Sequence, residues 1–206
     1  AELAHELPER TLVPLRRGER APAGPAIYCG YSWGTVPCLK DAAANEEARA
    51  VIRIAPYLFP SGSGLLKNIV LGTPLLGNAL LKKKGPQIVE ELLVDSSHPA
   101  EVPASYRALA PRLSQPEVLR TAVQEKEKPG VDVLAALRTL AGRQVPLALI
   151  RGAQDQSSYE TQQIAPAREA APGLFERKLE QAGHALLWTH PQQLAAAIGE
   201  FLGRTD

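Results

Sequence analysis

Gly30-Tyr31-Ser32-Trp33-Gly34, placed directly after the short apolar run Ala26–Cys29, restricts this chain more than any other stretch. G-x-S-x-G between a strand and a helix is the pattern of a nucleophile elbow. In such a turn the serine hydroxyl is exposed and its backbone strained. Side chains two positions before or after the serine would meet the neighbouring strand and helix, and Gly30 and Gly34 are expected to remove them. The helix that follows begins with unpaired N–H groups, so the Trp33 amide would be free to face a developing oxyanion. A Gly-rich turn with a solvated serine has the same letters. The two readings separate on whether a carboxylate and a histidine follow in suitable places.

Both follow. Ala50–Ala55 reads as a second core strand, stopped by Pro56. Val145–Ile150 is a buried-type apolar strand that leaves through the turn Arg151–Asp155, and Phe175–Leu179 is a short strand followed by the loop Gln181–His184. Trp33–Ala44, Ser158–Ala171 and Gln192–Leu202 have helical character. Strands alternating with helices imply a parallel sheet, and such sheets build their sites at the C-terminal ends of the strands. Ser32, Asp155 and His184 each fall just past a strand end.

Residues 57–143 have a different character. Leu65–Leu71, Pro74–Lys83, Pro86–Val94, Ala104–Leu113, Pro116–Lys126 and Val133–Ala141 are helical by apolar spacing, with proline near several starts. The chain therefore divides into 1–56, an all-helical insertion over 57–143, and 144–206. Lys82-Lys83-Lys84 is expected to cap a helix C-terminus. Upstream, Ala1–Leu7 is weakly helical, Arg10–Leu15 a strand, and Arg16–Pro25 a loop.

Composition excludes several classes. Net charge is +1, with both signs interspersed, which argues against nucleic acid or an anionic membrane as the partner. No apolar stretch is long enough to span a membrane, and no signal peptide is visible. Four dispersed histidines and two cysteines offer no metal cluster, so neither a metal nor another cofactor is implied. Cys29 and Cys38 read as buried free thiols and do not fix the compartment.

From Ile27 to the C-terminus the sequence resembles the α/β-hydrolase superfamily. The resemblance rests on G-Y-S-W-G, the strand A-V-I-R-I-A-P, the helical stretch, V-P-L-A-L-I-R-G-A-Q-D and Q-A-G-H, in the family's order. It implies an α/β fold with a mostly parallel sheet flanked by helices and a helical lid inserted between core strands. It also implies Ser32 as nucleophile, His184 as base and then acid, Asp155 orienting His184, and the Trp33 N–H as one oxyanion donor. Such a set would cleave an ester, thioester, amide, lactone or C–C bond of a small, largely apolar substrate through an acyl-enzyme. A serine at the elbow, where dehalogenases and epoxide hydrolases carry aspartate, turns the reading away from those branches.

Other residues carry weaker signals. Asp95 and Glu180 are lesser candidates for the acid. His190 precedes Pro191 at a helix start and reads as a cap or as solvated, His98 as structural or as touching substrate, and His5 as exposed. For Tyr31 and Trp33, packing is the default and a wall of the substrate pocket the sharper reading; Tyr57 would line the same pocket.

The front of the chain departs from the family. Several strands and a helix normally precede the elbow strand, and one of their loops carries a His-Gly-type motif supplying a second oxyanion N–H. No such motif stands before Ala26, although Leu12–Arg20 resembles the family's strand and L-R-G-x-G-x-S segment. Three readings follow: part of a longer hydrolase, a reduced variant, or a homologue kept for binding. The absence of any Met, position 1 included, favours the first. A sheet cut here exposes an edge, so a missing N-terminal segment or a dimer partner is expected to cover it.

Overall fold

Among the described residues, three largely apolar runs and the charged stretch Phe175–Leu179 form the strands that the alternation predicts, and every pairing among them is parallel. The computed structural model describes residues 13–15, 19, 21, 23–59, 74–126, 132–156 and 160–205. Strands β1 (Ala26–Tyr31), β2 (Ala48–Ile54), β3 (Leu147–Gly152) and β4 (Phe175–Leu179) lie side by side in chain order. Tyr31 pairs with Ile54, Ile54 with Ile150, and Gly152 with Leu179, so the strands finish at one end of the sheet. The inner strands β2 and β3 are buried almost throughout, which is why they read as continuous apolar runs.

A 3-10 turn, Ser32–Gly34, leads into α1 (Thr35–Ala44). The insertion contains α2 (Pro74–Ser97), α3 (Ala104–Arg107), α4 (Ala110–Leu113) and α5 (Pro116–Lys126). Helix α6 (Val133–Gly142) starts at Asp132, whose carboxylate accepts the Ala135 N–H at 2.9 Å. A π-helical turn, Glu160–Ile164, runs into α7 (Ala165–Ala170). The chain closes with α8 (Leu186–Thr189) and α9 (Pro191–Leu202).

Both sheet faces are covered. On one, Leu39 of α1, Leu137 and Leu140 of α6 and Ala167 of α7 pack with Tyr28, Val51 and Leu147. On the other, Leu186, Leu194, Ile198 and Phe201 pack with Ala50, Ile52, Ile54 and Ile150. A third cluster joins Val89, Leu93 and Tyr106 of the insertion to Ala185 and Trp188. Although α6 lies within the stretch read as an insertion, it packs on the sheet beside α1.

Several expectations change. Pro74–Lys83 and Pro86–Val94 are one continuous helix, with Pro86 inside it. The lysines therefore lie in the helix interior, exposed, and cap nothing. Gly85 lets the helix pack closely there: a Cβ would stand 2.8 Å from the Ser114 carbonyl oxygen. Ala104–Leu113 divides into α3 and α4, because Pro111 has no N–H to offer the Arg107 carbonyl. Arg151 and Gly152 extend β3 where a turn was expected. Val13–Leu15 has no regular structure, while Arg10–Leu12 and the helices at Ala1–Leu7 and Leu65–Leu71 fall outside the described residues. Cys29 is exposed on β1, the edge of the described sheet, and Cys38 is partly buried; both thiols are free.

Two polar groups sit in the core. Arg53 is fully buried and donates from Nε to the Ala148 carbonyl at 3.2 Å. Burial pushes its pKa down to about 10, against smaller upward effects of Cys38 and Glu176, so it stays charged at neutral pH. Gln163 does a strand's job with its side chain. Its Oε1 accepts from Leu58 N at 2.7 Å and Phe59 N at 3.0 Å, and its Nε2 donates to Phe59 O at 2.8 Å. Gln163→Leu leaves two amides and a carbonyl without partners. Guanidinium unfolding should then report a loss of about 3–5 kcal/mol. A loss under about 1 kcal/mol would show that solvent replaces these bonds.

Candidate active site

The turn after β1 has the geometry that the sequence requires at its serine. Ser32 adopts φ +53°, a left-handed conformation that non-glycine residues rarely hold. Its carbonyl accepts the Tyr57 N–H at 3.3 Å, which ties the turn to the segment leaving β2. A Cβ on Gly30 would stand 2.6 Å from Thr35 Cα and 2.9 Å from Gly34 O, so strand and helix approach each other over that glycine. Gly34 is different: a Cβ there meets nothing within 4 Å. The collision expected at both glycines exists only on the strand side, since Gly34 faces outward.

The candidate acid, Asp155, lies in the turn after β3. Ala153 N donates to Leu179 O and Gln154 N to Ala182 O, each at 2.9 Å, so this turn is sewn to β4 and to the loop behind it. A Cβ on Gly152 would lie 2.2 Å from Ala182 O and 2.3 Å from Gly183 O. This contact brings the two loops together. The Asp155 side chain is fully buried and that of His184 is 16% exposed. Further along, Arg151 and Arg168 each pair with Glu160 and Glu176, closing the segment after the acid. Burial acts to raise the Glu176 carboxyl pKa, but hydrogen bonds from Arg168 and Arg151 outweigh it and hold it below the ordinary value.

The structure brings Ser32, Asp155 and His184 together. His184 Nδ1 is 2.8 Å from Asp155 Oδ2, and His184 Nε2 is 2.8 Å from Ser32 Oγ. With a carboxylate on Nδ1, the neutral ring carries its proton there, and Nε2 is left to accept from the serine hydroxyl. The Trp33 N–H belongs to the first turn of a helix, which leaves it without a partner inside that helix. Gly24 O accepts Asn45 Nδ2 at 2.9 Å, at the opposite end of the sheet from the serine.

The aromatic candidates lie around this centre. Trp33 and Tyr57 rings are 5.6 Å apart at 58°. The Tyr31 hydroxyl donates to the His184 carbonyl at 3.1 Å, and its ring lies 5.4 Å from the imidazole. Asp95 and Glu180 are exposed and make no hydrogen bond to His184. His98 is exposed and precedes a cis proline, and His190 N-caps α9 without a capping side-chain bond. His5 falls outside the described residues.

Sequence reading missed Trp188 and Tyr106. Their rings stack 4.2 Å apart at 15°, and Trp188 meets Tyr31 edge-on at 5.7 Å. The usable signal was the aromatic one helical turn after His184, in H-A-L-L-W.

No protein-family profile matches this sequence, and no curated protein does. Solved structures do match. A bromoperoxidase from Bacillus anthracis is 15% identical with TM-score 0.62, over 88% of this chain and 68% of its own. MGS-M2, an alpha/beta hydrolase enzyme from a Medee basin deep-sea metagenome library, is 17% identical with TM-score 0.61, over 89% and 66%. A thermophilic esterase from Thermogutta terrifontis is 16% identical with TM-score 0.62, over 88% and 66%. The chain thus spans about two thirds of the length of each. The likeness shows the fold.

Proposed function

We propose that this chain, whose fold is that of the α/β hydrolases, is a serine hydrolase acting on an ester-like bond of a small, largely apolar substrate. The observation that carries the reading is the position of His184, in hydrogen-bond reach of a buried carboxylate on one side and a strained serine on the other. A serine hydroxyl is a poor nucleophile until a neighbouring base takes its proton.

In the proposed reaction, Ser32 Oγ attacks the carbonyl carbon while His184 Nε2 takes the hydroxyl proton. Asp155 stabilises the imidazolium that forms, and the Trp33 N–H donates to the oxyanion. Collapse of the tetrahedral adduct breaks the bond to the leaving group, which departs with the proton from Nε2. Water then enters, loses a proton to Nε2, and attacks the acyl-enzyme; the acid is released and Ser32 regains its proton. The helical insertion would act as the lid, with Trp33 and Tyr57 lining the acyl side. Esterases among the structural neighbours support an ester-like bond.

A fluorophosphonate probe tests this. The folded parent chain should become labelled, and Ser32→Ala should remove at least about 99% of that labelling. Folded parent protein that resists the probe would leave a binding module as the better reading.

A further inference from the structure

We infer that Tyr31 is a positioning residue for the His184 imidazole and that the Tyr106–Trp188 stack couples it to the helical insertion. The inference rests on the hydrolase reading above. The bonds to Asp155 and Ser32 fix the imidazole by its two nitrogens but leave the backbone that carries it to be held by something else.

Tyr31 holds it. The hydroxyl donates to the carbonyl of His184 itself at 3.1 Å, and that carbonyl also receives Leu186 N at 2.9 Å. Tyr31 is joined by one peptide bond to Ser32. A single residue therefore spans from the nucleophile's backbone to the base's backbone, and it does so through a rigid ring with two rotatable bonds. The distance between Ser32 Oγ and His184 Nε2 is set in part by that ring. Burial, with smaller effects of Tyr106 and Asp155, pushes the Tyr31 phenol pKa up, so it remains a neutral donor.

The other contacts of the ring lead to the insertion. Trp188 meets Tyr31 edge-on and stacks on Tyr106. Tyr106 shares a hydrogen bond of 3.2 Å with Ser96 Oγ at the end of α2. Ser96 O in turn accepts Ala185 N at 2.7 Å. Against the same helix end, a Cβ on Gly183 would lie 2.2 Å from His98 O. The circuit closes: Ser32, Tyr31, the histidine loop, Ser96, Tyr106, Trp188 and back to Tyr31. Movement of the insertion at Tyr106 displaces the imidazole through packed atoms. Substrate that parts this stack also moves its own general base.

The test uses Tyr31→Phe, which keeps the ring and removes only the hydroxyl. Two quantities are read: the second-order rate of fluorophosphonate labelling, and the far-downfield proton resonance of His184 Nδ1–H. The expected result is labelling slowed about three- to tenfold, a shifted or broadened resonance, and a melting temperature within about 4 °C of the parent. Trp188→Leu, which breaks the ring column, should broaden the same resonance further. Labelling within about twofold of the parent with an unmoved resonance overturns the inference. Slowed labelling with an unmoved resonance also overturns it, because the phenol would then act on the probe. If the parent is not labelled at all, the hydrolase reading fails, and the resonance alone still decides the role of Tyr31.

Discussion

His184→Ala is expected to lower turnover of a short-chain p-nitrophenyl ester by on the order of 10⁴–10⁶-fold, with little change in melting temperature. Both nitrogens of the imidazole are committed at 2.8 Å, one to the carboxylate and one to the hydroxyl. Without the ring, Ser32 has no base, and Asp155 is too deeply buried to serve as one by itself. Asp155→Asn should be nearly as damaging, on the order of 10⁴-fold. Its amide can donate to Nδ1, which would place the imidazole proton on Nε2, where the serine needs an acceptor. Steady-state kinetics on folded variants checks both. Retention of more than about a tenth of parental turnover by either would dissolve the proposed triad.

Gly152→Ala should be among the most damaging single methyls at the described glycines. Its Cβ would meet Ala182 O at 2.2 Å, Gly183 O at 2.3 Å and Ala182 C at 2.6 Å. All three atoms are backbone, so no side chain can swing away. The two loops must separate, at a cost of about 3 kcal/mol or more. For a domain of this size that corresponds to a fall in melting temperature of roughly 6–12 °C. Activity should fall as well, about 10²-fold for a displacement near 1 Å, because those loops carry Asp155 and His184. Gly199→Ala is the control. It lies inside α9 with nothing within 4 Å of the new methyl, and should stabilise by up to about 1 kcal/mol. Equal melting temperatures for the two variants would refute the packing argument.

What the sequence made legible was the part governed by local rules. Apolar runs marked β1, β2 and β3, the Pro172-Gly173 break announced the short β4, and the residues just past β1, β3 and β4 supplied Ser32, Asp155 and His184. What it hid depends on segments far apart in the chain. Gly30 was identified from the elbow spacing. Gly152 and Gly183 carry no such pattern, and their necessity comes from a carbonyl in another loop. Pro86 looked like a helix start because proline favours that position. The actual helix runs through it, with Gly85 packed closely against Ser114. Gln163 reads as an ordinary polar residue until Leu58 and Phe59, more than 100 positions away, come to its amide. Tyr31 was noticed for its place beside the serine, but its hydroxyl partner lies 153 positions along the chain.

The order of strands in the sheet is also the order in which a ribosome would make them. Each described strand after β1 lies beside the one made before it. Ser32 and His184 are 152 positions apart. At about 5–20 residues per second, the elbow is finished some 8–30 s before the imidazole that would activate it. Through that interval a nascent chain carries a serine without a base. In the proposed triad the base is thus made after all four described strands.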